Sequence, residues 1–244
     1  MPSIATIVRF FFDPTYGLFV LSPILIVSLF GLGAMKKEVT PAAFAAFVLS
    51  QLSTVLIYAG YPNWDGGWSV GPRYILSIVP FLAFAILFAK PRAFEPLLLG
   101  YSTLVIGLTS LVFPFVPSGF AWPWGSLSLP LLTQGLVAPN LLHFAGRPAA
   151  IAVCFIPAAI ALVAATGGRI WIAVLGAVIA TAAAIAAASY ASPLERIQRA
   201  YIADVYFERT GALERSLPPG FPRGSPLFHR RELERTLPPG SWPF

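Results

Sequence analysis

The chain has 244 residues, 57% of them hydrophobic and only 11% charged, against roughly 25% charged in soluble domains, which excludes a water-soluble globular fold. Its +6 formal charge does not point to nucleic acid, because the Lys and Arg lie in short loops and in a tail shared with acidic residues. Cys154 is the lone cysteine, which excludes an internal disulfide, and it reads as a small core residue.

In chain order, Met1 to Phe12 hold only Arg9 and lead to no small-residue cleavage pattern, so membrane spans rather than a removable signal peptide are expected to drive insertion. Apolar runs close to the roughly 20 residues that cross a 30 Å hydrocarbon core then predict an all-α, polytopic transmembrane bundle of about six spans over residues 1–190. They fall roughly at 17–35, 41–60, 74–89, 95–115, 149–167 and 170–190. Asp13-Pro14, Thr40-Pro41 and Glu95-Pro96 put proline at or near helix starts, where its missing N–H costs nothing. Lys36 and Lys37, Lys90 and Arg92, and Arg169 follow the first, third and fifth spans. Alternating spans gather all five on one side, and the positive-inside rule makes that side cytoplasmic. The N-terminus, the loops 61–73 and 116–148 and the tail are then expected on the non-cytoplasmic side of a plasma (inner) membrane. The tail's eight Arg are accompanied by six acidic residues, and long tails weigh little in that rule.

The sixth span carries Gly176, Ala180, Ala184 and Ala188 at intervals of four, a small-residue face suited to close helix packing. Residues 191–244 form an extramembrane tail. Ser192-Pro193-Leu194-Glu195 reads as a capping box, and Leu194, Ile197, Tyr201 and Val205 mark the apolar stripe of a short amphipathic helix ending near Gly211. That helix is expected on the membrane surface or against the bundle. Beyond it, Leu213-Glu214-Arg215-Ser216-Leu217-Pro218-Pro219-Gly220 recurs as Leu233-Glu234-Arg235-Thr236-Leu237-Pro238-Pro239-Gly240, which predicts a Pro-rich strap along a surface.

Chemistry concentrates between the second and third spans, in Tyr61-Pro62-Asn63-Trp64-Asp65-Gly66-Gly67-Trp68-Ser69-Val70-Gly71-Pro72-Arg73-Tyr74. Trp64 and Trp68 suit a membrane interface, Gly66 and Gly67 open backbone conformations closed to other residues, and Arg73 ends the loop where an apolar helix begins. A guanidinium at that depth can hold a lipid phosphate by paired hydrogen bonds. Asp65, the loop's only carboxylate, could act as a base, bind a sugar hydroxyl or pair with Arg73. Interfacial Trp and Arg also occur in most polytopic proteins without any site.

Trp64 to Tyr74, followed by Ile78-Val79-Pro80-Phe81-Leu82, resembles the W-x-G-G-x-x-x-G-P-R-Y segment with a downstream P-F-L of many bacterial membrane glycosyltransferases of the GT-C superfamily. Upstream, Phe12-Asp13-Pro14-Thr15-Tyr16-Gly17-Leu18-Phe19-Val20-Leu21-Ser22-Pro23 resembles the D-P-x-x-G-L-F-x-x-S-P segment that precedes it in those proteins. The resemblance covers roughly residues 10–90; the rest matches in hydropathy alone. It implies a polyprenyl-phosphate-linked sugar as donor and transfer on the non-cytoplasmic face. By position it gives Arg73 the lipid phosphate, places Trp64, Asp65 and Trp68 around the sugar or lipid head, and brings Gly66, Gly67 and Tyr74 into the same loop. GT-C enzymes place their catalytic carboxylate in the first large external loop of an N-terminal module, so the chain resembles the C-terminal half of such an enzyme. Asp13 reads as a helix cap before Pro14, which leaves Asp65, or a second membrane protein, to supply the acid.

The loop 116–148, with Trp122, Trp124, Gln134, Asn140, His143 and Arg147, is a weaker candidate that could cover the same cavity as a lid, and its lone His reads as an interfacial hydrogen-bonder rather than a catalyst. His143 and His229 with no Cys or carboxylate cluster do not support zinc; a divalent cation could bridge Asp65 and a lipid phosphate, but no ligand pattern in the sequence supports one. Two other readings stand beside the enzyme. One is a non-catalytic membrane subunit, a degenerate or split half whose tail docks a partner. The other is a lipid or small-solute transporter, disfavoured by the near absence of intramembrane charge.

Overall fold

The computed structural model describes residues 3–61, 64, 67, 69–117, 120–137 and 169–206, and among them every regular element is helical. Among the described residues three helices are long and apolar enough to cross a membrane: α4 (Pro41–Ala59), α6 (Glu95–Val112) and α8 (Ile170–Ser189). They coincide with the expected second, fourth and sixth spans. The expected fifth span, 149–167, lies outside the described residues, as do the repeated tail segments.

The expected first span is a broken path: α2 (Leu18–Leu21), a 3₁₀ turn Pro23–Ile26, then α3 (Val27–Glu38). Pro23 disfavours helical backbone at Ser22 and lacks the N–H that would continue α2, and Ser22 sits at φ −138° and ψ 70°. The amide freed at Ile24 donates to Ser102 Oγ on α6 at 3.1 Å, and that hydroxyl donates to Leu98 O at 2.7 Å. The expected third span begins as a 3₁₀ stretch, Arg73–Ile78, and becomes α5 (Val79–Ile86). Pro80 cannot donate to Leu76 O, and the Val79 amide takes that carbonyl instead, which tightens the turn to the 3₁₀ spacing.

Close packing comes from small residues, as the sixth-span pattern predicts. Ala173, Gly176, Ala180 and Ala184 are buried, while Ala188 is half-buried. A Cβ on Gly100 would run into the carbonyl of Ala173, and one on Gly176 into that of Leu97, so α6 and α8 touch backbone to backbone. Val105 shares a core cluster with Ala180 farther along, so the two helices run in the same direction. α3 packs on α5 through Gly31, whose Cβ would meet the carbonyl of Ala85. Just beyond, the Arg92 guanidinium sits 4.0 Å over the Phe30 ring and 3.8 Å from Glu95. Lys36, Lys37, Lys90, Arg92 and Arg169 therefore lie toward one end of the bundle, where α3 and α5 finish and α6 and α8 begin.

The other end is built from what was expected to be loop. α1 (Ile4–Phe12) buries Phe10 and lies against the end of α4, with the Ser3 amide donating to Ala59 O at 3.3 Å. Part of 116–148 is not a lid. A π-helical turn, Trp124–Ser128, continues as α7 (Leu129–Thr133), and Trp124, Leu127 and Leu131 are wholly buried. Proline and tryptophan content made this segment look exposed, but its apolar residues recur at helical spacing and fill the space beside α6 and α8.

α9 (Pro193–Tyr206) settles the choice left open for the tail helix: it lies against the bundle. Its capping box forms, the Ser192 amide donating to Glu195 Oε2 at 2.6 Å and the Glu195 amide to Ser192 Oγ at 3.2 Å. Ile202 completes a core cluster with Val112, Phe113, Val116, Phe120, Leu127 and Leu131. Arg199 Nη1 donates to Ser126 O at 2.8 Å. Burial pushes the Arg199 guanidinium below its ordinary pKa, Glu195 raises it, and Arg196 lowers it.

Candidate functional site

The two segments that carry the resemblance lie about fifty residues apart in sequence and meet in one cluster. Leu18 and Phe19 of the first, with the flanking Phe10 and Leu25, pack with Ile78 and Leu82 of the second and with Ile75 between its two parts. Trp64 closes the cluster, edge-on to Phe10 at 5.7 Å and to Tyr16 at 6.1 Å. A third segment ties them together. Val116 O accepts from Tyr16 Oη at 3.1 Å and from the Ser69 amide at 3.2 Å, and the Trp122 amide donates to Pro14 O at 3.1 Å.

Local chemistry explains the first segment. Asp13 Oδ1 accepts from the amides of Thr15 at 2.8 Å and Tyr16 at 3.1 Å, an Asx turn that caps the reversal between α1 and α2. Gly17 is required there, because a Cβ would fall 2.5 Å from the backbone N and O of Asp13. The carboxylate that precedes Pro14 thus holds the chain's own backbone, but it caps a turn and not the helix start expected at Pro14, because residues 14–16 turn and α2 begins only at Leu18. Gly71, at φ +82°, turns the second segment into the 3₁₀ stretch, and Ser69 Oγ donates to its carbonyl at 2.9 Å.

Arg73 stands at the start of that stretch with an exposed side chain, its guanidinium carbon 5.5 Å from the Tyr74 ring centre. That separation is within cation–π range, and among the described residues the Arg73 guanidinium forms no ion pair. Tyr74 is stacked on Tyr58 at 5.0 Å with 10° between planes, and Tyr61 meets its edge at 5.4 Å. A guanidinium laid across a phenol and open to solvent keeps most of its N–H fork available for an anion, while the tyrosines offer faces and hydroxyls to a polar ring.

Of the residues singled out from sequence, Trp64, Gly67, Arg73 and Tyr74 are described; Asp65, Gly66 and Trp68 lie outside the described residues, as do Asn140, His143 and Arg147. Gly67 has φ +74°, a conformation that favours glycine. Trp124, expected in a lid, is buried in the core, and Trp122 beside it is 44% exposed at φ +55°. Positive φ at a tryptophan is a strained backbone, held here by the Trp122 bond to Pro14. Tyr58 was not anticipated, and Tyr61 was read only as the first residue of the loop; their three-residue spacing at the end of α4 was the available signal. No three His, Cys, Asp or Glu side chains cluster to hold a metal among the described residues. The chain matches no family model, no curated protein and no solved structure.

Proposed function

We propose that the protein binds a polyprenyl-phosphate-linked sugar at the non-cytoplasmic membrane surface, as a GT-C-like glycosyltransferase or its lipid-sugar-binding half. The supporting observation is the packing of 10–25 against 64–82 into one cluster with the Arg73 guanidinium open at its surface. In this reading Arg73 takes the lipid phosphate by charge-assisted hydrogen bonds. Trp64, Trp68, Tyr74 and the Gly66-Gly67 turn surround the head, and Asp65 is the acid or base at the sugar. About six spans surround it, the first and third being the broken paths, since irregular backbone at membrane depth belongs beside a site or buried in protein. The basic end is cytoplasmic.

One observation favours binding without transfer. Asp13, the described carboxylate nearest the cluster, is engaged by two amides, so chemistry falls to Asp65 or to a carboxylate from a second membrane protein. The test is ligand binding by the purified protein. Arg73→Ala is expected to weaken polyprenyl-phosphate-sugar binding by on the order of 2 kcal/mol, about thirtyfold, as for loss of a charged hydrogen-bonding partner. Unchanged affinity removes Arg73 from the site. Transfer that survives Asp65→Asn removes Asp65 as the acid.

A further inference from the structure

Of the three long apolar helices, α4 is the least buried, 11% of its span against 33% for α6 and 22% for α8. Val55 and Ala59 anchor it, meeting Ile75, Ile78 and Leu82 along one line. At about 100° per residue, the positions opposite that line are Ala43, Ala46, Ser50, Ser53, Ile57 and Gly60, and all six are exposed. They alternate by three and four residues, the spacing of a left-handed helix pair, and five are small enough to let a second backbone come close.

Small size alone would suit plain contact with lipid. Polarity is the separate observation. Ser50, Gln51, Ser53 and Thr54 stand in the middle of this 19-residue helix, at the depth where hydrocarbon offers a polar side chain no partner. Ser53 Oγ and Thr54 Oγ1 both donate to Ser50 O, at 2.9 and 3.1 Å, which leaves their oxygens free to accept. Gln51 lies nearer the buried line, yet its Nε2 reaches back to Ser50 Oγ at 3.4 Å, the one hydrogen bond of that side chain among the described residues. A primary amide has two N–H donors and a carbonyl oxygen, so one N–H and the oxygen are left over. The band therefore offers donors and acceptors side by side and is complementary to itself. A two-fold axis along the membrane normal keeps two copies in one orientation and sets each residue at the depth of its mate. Gln51 of one copy then meets Ser50 and Gln51 of the other.

We propose that the face of α4 centred on Ser50 and Ser53 joins two copies of this chain within the membrane, with Gln51 hydrogen-bonding across the interface. The function proposed above does not enter this inference. Tyr58 and Tyr61 lie at one end of the same helix, so the pairing sets two candidate sites side by side on one face of the membrane. The test is disulfide trapping in membranes with the full chain carrying Cys154→Ser. Ala46→Cys, Ser50→Cys and Ser53→Cys are expected to give covalent dimers on mild oxidation. Ala45→Cys and Leu52→Cys, also exposed but about 110–130° round the helix from that face, are expected to stay monomeric. Gln51→Leu should weaken dimerisation about tenfold, as for loss of two symmetry-related interhelical hydrogen bonds, read by energy transfer between labelled copies in liposomes at varied protein-to-lipid ratio. Equal trapping at all five positions reports random collision and overturns the proposal. Monomer at every position, or trapping to a different polypeptide, overturns it as well. The expected trapping pattern with undiminished pairing of Gln51→Leu keeps the face and removes Gln51 from it. Should Gln51→Leu fail to fold, the trapping pattern, which leaves Gln51 in place, decides.

Discussion

Asp13, Gly17 and Gly71 show how a motif can be required by backbone geometry before any ligand is considered. Asp13 bridges two amides of a turn whose residues Thr15 and Tyr16 are buried, and Gly17 and Gly71 stand where a side chain clashes or strains. Asp13→Asn keeps the accepting Oδ1 and is expected to leave both melting temperature and lipid-phosphate binding as in wild type. Asp13→Ala orphans two part-buried amides and should cost about 1–2 kcal/mol, read as a lower melting temperature in detergent. A folded Asp13→Asn protein that binds the lipid-linked sugar but has lost transfer would instead make Asp13 the catalytic carboxylate. The same distinction governs Arg73, which does the opposite of Asp13: its guanidinium is exposed and enters no described ion pair.

At the scale of elements, the strongest constraint is the contact between α6 and α8. Gly100 and Gly176 each face a backbone carbonyl of the other helix, so neither contact can be relieved by a rotamer change. Gly100→Leu or Gly176→Leu must force the helices apart, and a loss of at least about 1–3 kcal/mol is expected for such overpacking, measured as thermal stability in detergent. Gly33 and Gly107 have open space at the Cβ position, and Gly→Ala there should be neutral or stabilising, since alanine is favoured over glycine within a helix by about 1 kcal/mol. The small-residue face of α8 was legible in the sequence, as were α4, α6, α8 and the capping box of α9, because each depends on a local pattern of length, hydropathy or spacing; its partner Gly100 on α6 was not, since a lone glycine carries no such pattern. The break at Ser22 was hidden by hydropathy, which does not register a 3₁₀ turn inside an apolar run. Trp124 was misplaced because Pro and Trp suggest a loop while burial depends on the neighbours, here Tyr101, Ala180 and Ala184. Arg73 and Tyr74 stood out at the end of a loop; Tyr58 did not, and Tyr61 entered only as that loop's first residue, since their relation to Arg73 exists only through the approach of α4 to the 3₁₀ stretch.

For the whole molecule, one set of contacts places the candidate site and the basic residues at opposite ends of the bundle. α3 and α5 lie together through Gly31 and Ala85, Arg92 folds over Phe30, and α6 and α8 run in one direction. These contacts collect Lys36, Lys37, Lys90, Arg92 and Arg169 at the end opposite the cluster of Asp13, Trp64, Ser69 and Arg73. If positive residues stay inside, the site must face outward, and a reversed protein would carry Arg73 and its tyrosines into the cytoplasm as a unit. Single-cysteine labelling decides this in a Cys154→Ser background. Tyr61→Cys and Gly67→Cys are expected to react with a membrane-impermeant maleimide on intact cells, because both positions are exposed. Lys37→Cys and Lys90→Cys, also exposed, should react only after permeabilisation. The reverse pattern would place the proposed lipid-phosphate site on the cytoplasmic face and remove the basis for the proposed transfer at the outer surface, while leaving the packing of the two motif segments untouched. A mixed pattern, with Tyr61 and Lys90 labelled from the same side, would require 73–86 to return without crossing, and its length decides whether that is needed. Six 3₁₀ residues at about 2.0 Å and eight α-helical residues at about 1.5 Å reach about 24 Å, short of a 30 Å hydrocarbon core unless residues 87–89 continue inward. Leu87 and Phe88 are apolar and Leu87 is 77% exposed, which fits that continuation and predicts a crossing.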